Sequence, residues 1–200
     1  MLNVMKPRLS GKKLLFVLFT LCTLTAFGQG AEPAIERKGF VIGFGIGGGV
    51  ISVSDSNQET SFDKASGGIS LPNLKIGWML SERTALLATF PGMIYEYEGR
   101  DRSFEAFIPS LQYWPSSRWW INGGIGLAMD FPAFYEVDDF KDEDWNFGCA
   151  VAAGTGYEIV QKKNFALDIQ SKIHLGRAFM GNDQYRDGVA FTVGLGFNWY

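Results

Sequence analysis

Apolar residues alternate with glycine, alanine or polar residues along most of the chain after residue 39. A period of two is typical of β-strands whose two faces meet different surroundings. Residues 119–130 give the clearest case, because Ile121, Ile125 and Leu127 share one face and Asn122 and Ala128 share the other. The same alternation predicts strands within residues 40–46, 74–80, 145–159, 165–179 and 189–199.

Two more segments, residues 84–97 and 103–114, predict strands with less regular faces. Pro91 and Pro109 interrupt them, and a proline lacks the N–H that a ladder needs, so each predicts a bulge or a bend. The total is eight strands. No run of 18 apolar residues follows residue 28, so a membrane-spanning helix is not predicted.

The predicted connections alternate in length. Short turns are predicted at residues 81–83, 115–118 and 161–164, and longer polar loops at residues 54–67, 99–102, 131–144 and 181–188. Short turns at one end and long loops at the other are the plan of an eight-stranded, antiparallel, up-and-down transmembrane β-barrel of the outer membrane, with periplasmic turns and extracellular loops.

The N-terminal segment predicts a cleavable signal peptide over residues 1–28. Four basic residues precede an apolar run over residues 14–27, and Ala26 and Gly28 provide the small residues of a cleavage site. A membrane anchor is the alternative, but 14 helical residues rise only about 21 Å, short of the roughly 30 Å hydrocarbon core. A short periplasmic segment, residues 29–38, and a barrel domain, residues 39–200, would follow.

The composition excludes several classes of protein. Two cysteines and one histidine are too few for a disulfide framework or for a Cys/His zinc site. The formal net charge is −3, and the sequence pI of about 5.2 argues against a nucleic-acid partner. After cleavage 14 basic and 21 acidic residues remain, and Cys149 is the only thiol. No cofactor is predicted.

Either face of the sheet could line the barrel. A soluble barrel would turn its large apolar side chains inward, whereas a membrane barrel turns them toward lipid. The second face is mostly glycine and alanine, which fit a narrow eight-stranded interior and favour the membrane barrel. Aromatic residues at strand ends predict belts at the membrane–water interfaces; they are Tyr113, Trp114, Trp119, Trp120, Trp199 and Tyr200.

The C-terminal strand carries a more specific pattern. Thr192, Gly194, Phe197 and Trp199 resemble the bacterial β-signal, although Tyr200 extends one residue beyond the usual terminal aromatic. The mature chain resembles the porin-like family of small outer-membrane β-barrels, and residues 26–29 look like the cleavage sites common in Bacteroidetes. The resemblance implies a Gram-negative outer membrane, the assembly machinery as a partner, and contact with membrane lipid and lipopolysaccharide.

Inward-facing polar residues predict a hydrogen-bonded network inside the barrel, because charges there need partners. The predicted members are Lys75, Asp130, Glu158, Asp168, Gln170, Lys172 and His174. They could plug the lumen or line a narrow channel, and eight strands leave little room for a channel. Arg177 has outward parity near the loop end of its strand, where it could meet a lipid phosphate.

Two further sites are weighed against simpler interpretations. Residues 131–144 carry a net charge of −5, which could attract Ca²⁺ or Mg²⁺, although the spacing is not that of an EF-hand and a solvated loop is the preferred interpretation. A serine–histidine catalytic pair is not predicted, because Ser171 and His174 differ in parity and Ser110 lies on a distant strand.

The sequence therefore predicts an outer-membrane barrel with a structural role or a role in interactions at the cell surface, and no enzymatic activity. A narrow conduit for ions or small hydrophobic molecules is the first alternative. A lipid A-modifying enzyme is the second, since a barrel fold by itself does not specify function.

Overall fold

The computed structural model describes residues 35–56, 65–97, 99–135 and 145–200. The predicted signal peptide and most of the acidic segment, residues 136–144, lie outside the described residues. Within those ranges, no helix is long and apolar enough to cross a membrane.

The described residues form nine strands, all paired antiparallel. They are β1 (Phe40–Asp55), β2 (Ala65–Ser81), β3 (Thr84–Phe90), β4 (Gly92–Tyr97), β5 (Arg100–Tyr113), β6 (Trp119–Pro132), β7 (Asn146–Lys162), β8 (Phe165–Gly181) and β9 (Gln184–Trp199). Each strand pairs with the next around the sheet, and β1 pairs with β9 from Ile42↔Trp199 to Asp55↔Arg186, which closes the barrel. Strands β3 and β4 together occupy one position in the wall, so the fold is the predicted eight-stranded barrel.

The two prolines behave differently. At Pro91 the predicted strand breaks into β3 and β4, and the Pro91 carbonyl accepts a hydrogen bond from the Ala106 amide at 2.9 Å. The sequence predicts a bulge or a bend at Pro109, and the prediction of a bulge is wrong. The register of β5 is the same on both sides of Pro109 toward β3 and β6, and only the bridges from Ile108 and Pro109 to β6 are missing. A proline without an N–H leaves a gap in a ladder that need not shift its register.

Two of the predicted long loops are tight turns. Strands β4 and β5 pair up to Tyr97↔Arg100, and β8 and β9 pair up to Gly181↔Gln184. Asn182 and Asp183 have φ of 48° and 59°, the left-handed pair that a two-residue type I′ hairpin requires. The long connections that distinguish one end of the barrel from the other are therefore only residues 56–64 and 133–145. We call the end that carries these two connections the loop end, and the opposite end the terminus end.

The large apolar side chains face outward, as predicted. Ile125 is 74% exposed and Leu195 is 38% exposed, and both belong to a continuous outer belt. A soluble monomer rarely exposes a large contiguous apolar surface, whereas bilayer hydrocarbon requires one. The belt includes Ile42, Phe44, Leu74, Ile76, Leu127, Val151, Ile169, Leu175, Phe191 and Val193.

Only some of the residues predicted for the aromatic belts face the membrane. Tyr113, Trp119 and Trp199 point outward, but Trp114 and Trp120 are 0% exposed and lie inside the barrel. A glycine on the neighbouring strand makes room for Trp120: a Cβ atom on Gly156 would lie 2.5 Å from its ring. Position at a strand end does not decide which face a side chain occupies, and these two residues have inward parity.

We predict that arginine at Leu195 or Ile125 destabilises the barrel by about 2–4 kcal/mol, because both positions face mid-membrane hydrocarbon. The measurement is the free energy of unfolding in lipid vesicles. Phe179→Arg is the control, since Phe179 lies beside Arg177 at the loop-end edge of the belt, where the cost is about 0–1 kcal/mol. Near-zero cost at both mid-belt positions would contradict the assigned faces.

Candidate functional site

The interior of the barrel holds all seven residues predicted for a polar network. Six of them are buried: Lys75, Asp130, Glu158, Asp168, Gln170 and His174. Lys172 is half-buried. They do not form a single network, because an apolar layer, against which His174 stacks, separates Asp130 from the other five. The interior is best described as polar clusters at the two ends with this layer between them.

The cluster at the terminus end is centred on Glu158. Arg37 donates to Glu158 Oε2 at 2.6 Å, Trp114 Nε1 donates to Oε1 at 2.9 Å, and the Tyr200 hydroxyl donates to Oε1 at 3.0 Å. The Arg37 guanidinium also lies 4.8 Å from the centroid of the Trp114 ring. Burial, followed by the negative charge on Glu158, raises the pKa of the Tyr200 phenol and keeps it a donor. This cluster joins both ends of the described chain to β7.

Sequence reasoning missed Arg37 and Tyr200 as members of this cluster. Arg37 precedes β1 in an irregular segment, where no periodicity indicates a direction. Tyr200 follows the last strand, and the sequence predicts it among the interface aromatics, but its ring turns inward. The unusual residue after Trp199 therefore has a structural role in closing the terminus end of the lumen.

Asp168 lies next to this cluster. Its Oδ2 atom accepts hydrogen bonds from Trp120 Nε1 at 2.9 Å and from Asn198 Nδ2 at 2.8 Å. The Lys75 ammonium lies 4.8 Å from the centroid of the Trp120 ring, close enough for a cation–π contact. The indole N–H groups of the two buried tryptophans therefore donate to carboxylates, while the faces of their rings contact the cations of Arg37 and Lys75.

The cluster at the loop end is centred on Asp130. Arg186 Nη1 and Arg102 Nη2 donate to Asp130 Oδ2 at 2.7 and 2.8 Å, and the Tyr95 hydroxyl donates to Oδ1 at 2.7 Å. Arg186 also donates to Asp55, which accepts a further hydrogen bond from Tyr97. Two carboxylates face two guanidiniums, so the charges balance. The sequence pattern does not predict these arginines, because residues 99–102 and 181–188 are polar and look like loops.

The layer between the clusters is apolar. Ile51, Met93, Phe104 and Ile108 are each at most 1% exposed and fill the lumen with small alanines around them. His174 stacks on the Phe104 ring with centroids 5.9 Å apart. A Cβ atom on Gly188 would lie 2.5 Å from the Phe104 ring, so glycine admits the ring into the middle of the barrel. We call this layer the septum.

The serines weighed for catalysis lie apart from His174. Ser110 Oγ lies 3.4 Å from Thr89 Oγ1 and 3.4 Å from the Leu87 carbonyl. Ser171 belongs to the outward-facing row of β8, with Ile169 and Ile173. Within the described residues, no group of three histidine, cysteine or carboxylate side chains is arranged to hold a metal ion.

Arg177 lies on the outer wall, as its parity predicts. It makes a bidentate ion pair with Asp187, with N–O distances of 2.7 and 2.8 Å, and its guanidinium stacks 3.8 Å from the centroid of Tyr185. Asp187 is the first charged residue on the outward face of β9, after apolar residues from Trp199 to Val189. The pair therefore marks the loop-end edge of the apolar belt.

The four residues of the predicted assembly signal lie on β9. Thr192 and Gly194 face inward, whereas Phe197 and Trp199 face outward and stack on Phe44 at centroid distances of 4.8 and 5.9 Å. These contacts lie at the β1–β9 seam. The signal residues therefore belong to the pair of strands that closes the barrel.

Exposed aromatic residues flank the acidic segment at the loop end. Phe134 and Tyr135 are 64% and 65% exposed, and the Tyr135 hydroxyl donates to Asp101 at 2.7 Å. Phe131, which is buried, stacks on Trp145 with ring centroids 4.3 Å apart and makes a tilted contact with Phe134 at 5.3 Å. We call these four aromatic residues the rim cluster.

Comparison with solved structures identifies the fold. The chain is similar to Neisserial surface protein A, with a TM-score of 0.51 and 15% identity over 80% of this chain and 96% of that chain. Weaker similarities include Ail of Yersinia pestis in complex with the heparin analogue sucrose octasulfate (TM-score 0.44, 14% identity, 79% and 99% covered) and OprG of Pseudomonas aeruginosa (0.41, 12%, 84% and 99%). No protein-family model and no curated protein matches the sequence. The chain has the fold of the small outer-membrane β-barrels.

We predict that Glu158→Leu lowers the free energy of unfolding by about 3–5 kcal/mol, because it leaves the buried Arg37 guanidinium without its carboxylate. Urea unfolding followed by tryptophan fluorescence measures the loss. Glu36→Gln is the control: Glu36 pairs with Lys38 at the exposed surface, and its loss should leave the midpoint unchanged. Equal midpoints for both variants would show that the cluster at the terminus end does not stabilise the barrel.

Proposed function

We propose that this protein is an integral outer-membrane protein of a Gram-negative bacterium, with a structural role or a role in interactions at the cell surface. The observation that carries the proposal is the filled lumen. The septum and the charge-balanced cluster at the loop end lie across the path through the barrel, so the surfaces left for function are the outer wall and the loop end.

The proposal includes export and assembly. Residues 1–28 would be removed as a signal peptide of the Bacteroidetes type, and residues 29–38 would remain in the periplasm. The amide of Glu36 donates to the Lys163 carbonyl at 2.8 Å, which supports a place for this segment at the terminus end. The outer-membrane assembly machinery would recognise Thr192, Gly194, Phe197 and Trp199.

The loop end is the surface proposed to interact with partners. Neisserial surface protein A, which has a similar fold, is by its name a surface protein. The rim cluster provides exposed aromatic surface beside the acidic segment, and aromatic side chains are enriched in protein interfaces. Arg177 would lie at the level of the lipid headgroups, where its remaining N–H groups can donate to a phosphate of lipopolysaccharide.

We also propose that the protein is not an enzyme. A serine hydrolase needs its hydroxyl within hydrogen-bond reach of a histidine. His174 instead stacks on Phe104 in the septum, and the Ser110 hydroxyl lies beside Thr89 and the Leu87 carbonyl.

The conduit alternative makes a different prediction in planar bilayers. We expect refolded wild-type protein to give no stable channel steps, because the septum occludes the lumen, and Phe104→Ala to increase ion leakage by removing the central ring. Leu111→Ala, a lipid-facing change on the same strand, is the matched control and should behave as the wild type. Stable wild-type channel steps that Lys172→Ala abolishes would favour the conduit and contradict the proposal.

A further inference from the structure

A groove crosses the outer wall beside the ion pair of Arg177 and Asp187, on the side of the mid-membrane belt. Its volume is about 440 Å³, which is within the range of pockets that bind small ligands. Asp187 and Cys149 line it toward the loop end, and aliphatic side chains line it toward the middle of the belt. The groove is therefore continuous with the apolar belt and ends at charged residues.

The aliphatic wall of the groove is one row of cross-strand partners. Val151 pairs with Ile125 on one side and with Leu175 on the other. Leu175 also pairs with Val189. Neighbouring strands lie about 4.8 Å apart, so a row across four strands is roughly 14 Å long. This wall is long enough to contact an extended stretch of hydrocarbon chain.

The opposite wall is low because Cys149 has a small side chain. Cys149 pairs with Arg177, and Arg177 with Asp187, in the next outward row toward the loop end. The Arg177 guanidinium lies over the Tyr185 ring, which is farther toward the loop end than Asp187. The floor consists of backbone only, because the residues between the two rows face inward. They are Ala150, Gly176 and Gly188.

Arg177 and Asp187 place a donor and an acceptor at the polar edge of the groove. Arg177 Nε and Nη2 donate to the Asp187 carboxylate, and within the described part of the chain Arg177 Nη1 has no hydrogen-bond partner. The two side chains are 46% and 25% exposed, so a ligand can reach both. The pair is neutral overall. It therefore fits a head group that has phosphate acceptors beside hydroxyl or amide donors better than it fits a bare anion.

The position of the groove determines which lipid can occupy it. Because the belt faces hydrocarbon, the apolar part of the occupant is an acyl chain. The loop end is the extracellular end in the proposed topology, so the adjacent leaflet contains lipopolysaccharide. Its lipid A part joins several acyl chains to a phosphorylated amino sugar, which offers amide and hydroxyl donors next to phosphate acceptors.

We propose that this groove binds one acyl chain of lipid A, with a lipid A phosphate at Arg177 Nη1 and a sugar hydroxyl or amide donating to Asp187. The proposal rests on the proposed function for the orientation of the barrel in the outer membrane. It makes the contact between Arg177 and lipid phosphate one end of a defined lipid site, whose other end is the wall formed by Val151 and Leu175.

Cys149 reports whether the groove is occupied without any substitution, because it is exposed in the groove and is the only thiol after residue 28. The test measures the rate at which N-ethylmaleimide alkylates Cys149 of the refolded protein in phospholipid vesicles, with and without lipid A. We expect saturating lipid A to slow alkylation about tenfold, since the thiol reacts only in molecules whose groove is empty. Phosphatidylglycerol added in place of lipid A should leave the rate unchanged.

Ile69→Cys in a Cys149→Ser background is the matched control, because Ile69 is exposed on the outer wall of β2 and does not line the groove. Its alkylation rate should not respond to lipid A. An unchanged rate at Cys149 would overturn the proposal. So would equal slowing at both thiols, or equal slowing by phosphatidylglycerol, since lipid would then cover the groove as it covers the rest of the belt.

The head-group contact has its own variant. Arg177→Gln should raise the lipid A concentration that gives half-protection of Cys149 about tenfold, because it removes a charge-assisted donor. Arg83→Gln, an exposed change in the turn between β2 and β3, should keep the wild-type value. An unchanged value in Arg177→Gln would overturn the phosphate contact.

Cell fractionation separates this proposal from the proposed function. Recovery of the protein outside the outer membrane would contradict the proposed function. An unprotected Cys149 in refolded protein would contradict the lipid site alone.

Discussion

The structure depends on one constraint: hydrocarbon offers no hydrogen-bond partner to a backbone amide or carbonyl. An open sheet in such surroundings would leave two edges unpaired, so the first strand must pair with the last. The register between β1 and β9 runs over fourteen residue pairs without a shift, and stacked aromatic rings cover the seam from outside. Closure then fixes an outer face for lipid and an inner face with little volume, and the alternation of side chains along each strand follows.

The small inner volume explains how the charged residues are arranged. Eight strands enclose a space that side chains can fill, and glycines make room for two of the large rings, Trp120 at Gly156 and Phe104 at Gly188. Each buried carboxylate in the two end clusters has arginine or aromatic donors within hydrogen-bond distance. The apolar septum keeps these clusters apart. The same filling that stabilises the barrel leaves its outer wall and loop end as the surfaces for contact.

The faces of the strands could be predicted from sequence because parity is a local property. Alternation alone predicts that Ile125 faces outward and Lys75 inward, as the structure shows. The ends of the strands were harder, since inward-facing polar residues such as Arg102 and Arg186 look like loop residues until the partner strand is known. Membership in a cluster depends on neighbours across the lumen. Asp130 and Glu158 therefore entered one predicted network although the septum separates them, and Arg37, in an irregular segment, escaped prediction.

The direction of the apolar face is the claim on which the account rests, and a nitroxide scan along β9 in lipid vesicles tests it most directly. Labels at residues 189–197 should show oxygen accessibility with a period of two. The account predicts maxima at Val189, Phe191, Val193, Leu195 and Phe197, whose side chains face outward, and minima at the residues between them. Maxima at Ala190, Thr192, Gly194 and Gly196, or accessibility with no period, would contradict it.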